Sequence, residues 1–158
     1  MRTAVLTVST SVSARRADDA SGPALAARAE AAGCEVVAME VVPDDFALIE
    51  DRLNHYVDDG CDVILTTGGT GFTPDDVTPE ATRAVIEREA PGIAEAMRLV
   101  SLRKTPMAAL SRAVAGIRKG TLIVNFPGSP KAVEECFDVL DPVLGHAVRH
   151  LRGEHGGH

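Results

Sequence analysis

Apolar residues fall into two patterns along the chain. Short, mainly apolar runs at 3–8, 36–42, 61–65, 113–117 and 122–126 have the length and composition of strands, the first of them buried. Between them the apolar residues recur at spacings of three and four. Leu25, Ala26 and Ala29 form one such stripe. Phe46, Ile49, Leu53, Tyr56 and Val57 form another, and Ile93, Met97 and Val100 a third. The longest stripe is Val133, Phe137, Leu140, Leu144, Val148 and Leu151, with a bend expected at Pro142. Breakers punctuate the pattern. Ser21-Gly22-Pro23 starts a helix that Gly33 ends, Pro43-Asp44-Asp45 caps the next, and Gly60 closes it. Thr78-Pro79-Glu80 reads as an N-cap followed by a first turn, opening a helix that runs to about Glu89 before Pro91-Gly92. Lys119-Gly120 reads as a tight turn between two strands, and 9–20 and 101–112 as irregular segments.

Strands that alternate with helices predict an α/β fold with a mainly parallel sheet and one antiparallel pair near an edge. The 158 residues suit one domain, over residues 1–151, followed by a flexible tail over 152–158. A net charge of −7 argues against a general nucleic-acid or anionic-membrane surface, and 3% aromatic residues against a base-stacking platform. Cys34, Cys61 and Cys136 are widely spaced and read as small buried hydrophobes in a reducing cytoplasm. The N-terminal apolar run is too short for a signal peptide, and no run approaches a membrane span.

In open α/β sheets ligands gather outside the carboxyl ends of the strands. Polar or glycine-rich loops fall at such places at 9–14, 43–45, 68–76 and 125–129. Gly68, Gly69, Thr70 and Gly71 form either an anion cradle or a tight turn. The loop has no Lys for a Walker motif and no sixth-position glycine for a dinucleotide fingerprint. Asp44 is either a helix cap or a ligand residue, and so is Asp76. Carboxylates beside a phosphate loop require a bridging cation, which points to Mg²⁺. Asn125, Pro127, Gly128 and Ser129 lead into a helix and offer a second cradle, while Ser111 and Arg112 could complete an anion clamp. Arg15, Arg16, His146 and His150 read as solvated surface groups.

The segments Thr66-Thr67-Gly68-Gly69-Thr70-Gly71 and Asp76-Val77-Thr78-Pro79-Glu80-Ala81-Thr82 resemble the signature of the MogA/MoaB family of molybdenum cofactor biosynthesis. Ser21-Gly22-Pro23, Val42-Pro43-Asp44-Asp45, Leu110-Ser111-Arg112 and the stretch 125–131 are further landmarks in the same order. The resemblance covers residues 3–151. It implies a three-layer α/β/α fold, a cytoplasmic homotrimer, and transfer of AMP from Mg-ATP to the terminal phosphate of molybdopterin. The products would be adenylyl-molybdopterin, handed to a molybdenum insertase, and pyrophosphate. The family's two functional aspartates fall on Asp44 and Asp76, which would hold Mg²⁺ directly or through water. The chain departs from the family at Thr10, where an Asp commonly follows the serine that ends the first strand. That departure motivates an alternative, a non-catalytic paralogue that binds molybdopterin or a nucleotide as a carrier or assembly partner.

Overall fold

The computed structural model describes residues 1–155. Six strands form one sheet: β1 (Arg2–Val8), β2 (Glu35–Val42), β3 (Val63–Thr67), β4 (Arg88–Glu89), β5 (Ala115–Arg118) and β6 (Thr121–Phe126). Their order is β2-β1-β3-β6-β5-β4. The first four in this order are parallel, and β5 is antiparallel to both of its neighbours. Lys119 and Gly120 join β5 to β6 with φ of 45° and 79°, the positive pair that a two-residue hairpin turn needs.

The helices are α1 (Thr10–Ser13), α2 (Ser21–Ala31), α3 (Phe46–Asp58), α4 (Thr78–Val85), α5 (Pro91–Leu102) and α6 (Pro130–Leu151), with a 3₁₀ turn at Pro106–Leu110. Successive side chains along a strand point to opposite faces, so each central strand feeds two cores. Val5, Val63, Leu65, Leu122, Val124 and Phe126 pack with residues of α2, α5 and α6. Ala4, Leu6, Val8, Ile64 and Ile123 pack with residues of α3 and α4. The result is a three-layer α/β/α architecture. The chain leaves β1 toward β2 and later returns to β3 on the other side of β1. The carboxyl ends of β1 and β3 therefore flank a crevice.

The structure departs from the sequence reading in several places. A single short turn, α1, forms within 9–20 because the Ser9 hydroxyl accepts from the Val12 amide at 3.3 Å. Phe46 is 41% exposed, so the buried stripe of α3 begins at Ile49. The helix begun near Pro79 stops at Val85, and β4 then pairs with β5 where helix was expected to Glu89. Thr78 does not cap that helix. Its hydroxyl donates instead to the Gly68 carbonyl at 3.0 Å. α6 runs unbroken through Pro142. Arg152, assigned to a flexible tail, holds the Asp62 carboxylate through Nε and NH2 at 3.2 and 2.7 Å. Residues 156–158 of that expected tail lie outside the described residues. The three cysteines are buried and free. Among the described residues no helix is long and apolar enough to cross a membrane.

Asn125, expected to begin a ligand loop, is instead an interior residue of β6 and 1% exposed. Its amide nitrogen donates to the hydroxyls of Thr66 in β3 and Thr82 in α4, both at 3.0 Å. Its side-chain oxygen accepts from the Val114 amide at 3.1 Å, and its backbone N–H donates to the Val114 carbonyl. The side chain thus ties β3, β6, α4 and the entry to β5 together beneath the crevice and has no role left at the surface. Truncation would orphan several buried groups, each costing about 1–3 kcal/mol. Asn125→Ala should lower unfolding stability in urea by about 3 kcal/mol. Phe137, fully buried, stacks on Phe126 with ring centroids 5.9 Å apart and lies under the Arg28 guanidinium. Phe137→Ala should cost about 3–5 kcal/mol in the same assay through the cavity it leaves.

Candidate active site

Backbone contact builds the site at the crevice. Gly68 follows β3 with φ of 97°, and its N–H donates to the Phe126 carbonyl at 3.1 Å. A Cβ there would collide with the Val8 carbonyl oxygen, and a Cβ on Gly128 would stand 3.3 Å from the Gly68 Cα. The ends of β1, β3 and β6 therefore meet without intervening side chains. Gly69, with φ of 68°, turns the chain back, and its carbonyl accepts from the Thr78 amide. The amides of Gly69, Thr70 and Gly71 donate to no protein acceptor among the described residues. They are the donors of this loop that the fold itself does not use.

The two aspartates reach the loop from different strand ends. Asp44 follows β2, and its Oδ2 accepts from the Thr10 amide at 3.1 Å and from the Thr10 hydroxyl at 2.8 Å. Its Oδ1 lies toward the glycine loop, where a Cβ on Gly69 would be 3.1 Å away. The neighbouring Asp45, not Asp44, caps α3 by accepting from the Leu48 amide at 2.9 Å. Asp76 sits across the loop. Its Oδ2 accepts from the Thr73 amide at 3.0 Å and would be 2.9 Å from a Cβ on Gly71. Each carboxylate thus fixes one oxygen within the protein and has no protein donor to the other among the described residues. Asp75 is exposed.

Arg112 is heavily engaged within the protein. Nε donates to the Gly71 carbonyl at 2.7 Å, and NH2 to the Asp76 carbonyl at 2.8 Å. NH1 bonds both oxygens of Glu80 at 2.8 and 2.7 Å. Its backbone amide holds the Thr70 carbonyl. These bonds fasten the glycine loop to α4, and Glu80 neutralises the charge of Arg112. Ser111 accepts from the Ala113 amide and faces a cavity. Ser129 caps α6 by accepting from the Ala132 amide at 3.2 Å, and the Pro127 carbonyl accepts from the Thr67 hydroxyl at 2.7 Å.

Two cavities open on either side of these loops. The larger, about 290 Å³, is lined by Thr70, Gly71, Ser111 and Pro127 together with mainly apolar residues of α5, the 3₁₀ turn and α6. The smaller, about 210 Å³, is lined by Thr67, Gly68 and Gly128 with Thr7, Ser9 and Asp19. Each of the two loops contributes to both cavities: Gly68 and Gly128 line the smaller, and Thr70, Gly71 and Pro127 the larger. Sequence reasoning missed Asp19. Its carboxylate accepts from the Thr7 hydroxyl at 2.8 Å and from the Gly22 amide at 2.9 Å, fixing the start of α2 beside the smaller cavity. An Asp three residues ahead of a helical amide is a cap spacing and could have been read. The pairing of Glu80 with Arg112, 32 positions away, left no local signal. Exposed His146 and His150 stand apart from the site, and among the described residues no three His, Cys, Asp or Glu side chains converge as metal ligands. A cation here would need ligand oxygens besides the two aspartates.

Comparison with known proteins places this arrangement. The family described as "Probable molybdopterin binding domain" matches residues 4–146. The molybdenum cofactor synthesis protein cinnamon of Drosophila melanogaster is 45% identical over 152 residues, which are 95% of this chain and 25% of that protein. The molybdopterin adenylyltransferase of Escherichia coli K12 is 48% identical over 111 residues, 70% of this chain and 57% of that enzyme. The chain thus spans less than two thirds of the length of either relative. The crystal structure of the molybdopterin biosynthesis enzyme MoaB from Thermus thermophilus superimposes with a TM-score of 0.91 at 49% identity, covering 96% of both chains. A glycine loop and two aspartates brought to one crevice, on a backbone shared from end to end with such proteins, make this chain a member of the MogA/MoaB family of molybdenum cofactor biosynthesis.

Proposed function

We propose that the protein transfers AMP from ATP to the terminal phosphate of molybdopterin, releasing pyrophosphate. The observation that carries this reading is the pairing of two half-engaged carboxylates with a loop of undirected amides between two cavities. Two anionic reactants must meet in such a reaction. Positioning and electrostatic stabilisation, rather than a nucleophilic side chain, supply most of the rate. The two cavities offer separate places for the nucleotide and the pterin, with the reacting phosphates beside the glycine loops that line both.

The residues fit Mg²⁺. Asp44 and Asp76 present hard oxygen donors, one free oxygen each, and Mg²⁺ commonly takes one or two carboxylates plus phosphate oxygens. When bound, the ion neutralises charge on the phosphates. The amides of Gly69, Thr70 and Gly71 hold phosphate oxygens, with Gly128 and Ser129 facing them from the second loop. Arg112 keeps the first loop and Asp76 in register, and Ser111 contacts ligand from the wall of the larger cavity. Pro127 shapes the same wall. Asn125 acts beneath the site by holding the strand ends. A homotrimer in the cytoplasm, and hand-off of the product to a molybdenum insertase, belong to the same reading. The free cysteines fit a reducing compartment.

Incubation with molybdopterin, ATP and Mg²⁺ should give adenylyl-molybdopterin, detected by its mass. Absence of product from folded protein that still binds both ligands would assign the chain a carrier role instead. Asp76→Asn keeps an oxygen acceptor for the Thr73 amide but removes the charge. It should leave the melting temperature unchanged and lower turnover by at least about 10²-fold. An unchanged rate would remove Asp76 from the reaction.

A further inference from the structure

We infer that Thr10 is a positioning residue for Asp44, a hydrogen-bond donor just past the end of the first strand that aims the aspartate. The inference rests on the proposed role of Asp44. The contact is reciprocal: the Thr10 hydroxyl donates to Asp44 Oδ2 at 2.8 Å and lies 3.1 Å from the Asp44 amide, from which it accepts. The Thr10 amide adds a second donor to the same oxygen at 3.1 Å. One hydroxyl thus binds both the backbone and the side chain of Asp44, although the residues are 34 positions apart. The strand ends that carry them are already joined, since the Ser9 amide donates to the Val42 carbonyl at 2.9 Å.

The consequence for Asp44 is directional. With Oδ2 occupied by two donors, the carboxylate cannot rotate freely, and Oδ1 is left toward the glycine loop where the phosphates are placed. An ionised Asp at position 10 has no proton to donate to Oδ2 and would repel Asp44 unless a cation lay between them. Threonine at this position therefore gives Asp44 its orientation before any cation arrives. Thr10 thus gives Asp44 a fixed partner without adding a third negative charge to the site.

The test uses Mn²⁺, which is visible by electron paramagnetic resonance, titrated into the protein with a non-hydrolysable ATP analogue. Loss of one hydrogen bond to a charged group corresponds to about a tenfold change, so Thr10→Val should weaken Mn²⁺ binding by about tenfold. Thr10→Ser keeps the hydroxyl and should stay within about twofold of wild type. In an Asp44→Asn background, Thr10→Val should weaken Mn²⁺ binding no further, because the residue acts through Asp44. In turnover, Thr10→Val should lower kcat while the KM for ATP stays within about twofold of wild type. Equal Mn²⁺ affinity in Thr10→Val and wild type, failure of Thr10→Ser to restore it, or a further loss in the Asp44→Asn background would overturn the inference. So would a wild-type protein that binds no Mn²⁺. Wild type that makes no adenylylated product, with the Mn²⁺ differences intact, would overturn the transfer reaction and leave the assignment of Thr10 standing.

Discussion

Gly68 stands where three strand ends converge, and no side chain fits there. A Cβ would run into the Val8 carbonyl, and Gly128 approaches from the other side. Only glycine lets β1, β3 and β6 present their carboxyl ends within backbone contact, and everything at the crevice follows from that approach. The loop can turn its amides outward because Gly68 and Gly69 both adopt positive φ. Thr78 and Arg112 then anchor that loop through its own carbonyls, leaving the N–H side open.

The electrostatic problem of the site is solved locally. The protein carries a net charge of −7, and two aspartates border the loop proposed to hold phosphate. Basic side chains do not offset this directly. The nearest guanidinium, Arg112, is paired with Glu80 and bonded to loop carbonyls. What remains is a set of oriented backbone dipoles and two carboxylate oxygens without protein donors. Such a site is poor for a bare phosphate and suited to one accompanied by a divalent cation.

Much of this was legible in the sequence. The parallel strands write themselves as short, mainly apolar runs, and the helices between them as stripes, so the layers could be read without long-range information. The glycine loop and the two aspartates were visible because they sit at strand ends, where chemistry in this class of fold collects. The roles of polar side chains were not visible. Asn125 lies beside a proline-glycine turn and reads as loop, yet its amide finds Thr66 and Thr82 in the interior. Arg112 reads as a free cation until Glu80 is brought to it. Thr78 occupies a cap position in the sequence, but the Gly68 carbonyl competes for its hydroxyl and wins. In each case the deciding partner is 10 or more positions away, beyond the reach of any local pattern.

The two cavities meet at the glycine loops: Pro127 lines the larger and the next residue, Gly128, the smaller. Their adjacency has a pharmacological consequence. A molecule with one arm in each cavity would need only a short tether across that divide, and the second arm would bind at the high effective concentration that a short tether gives.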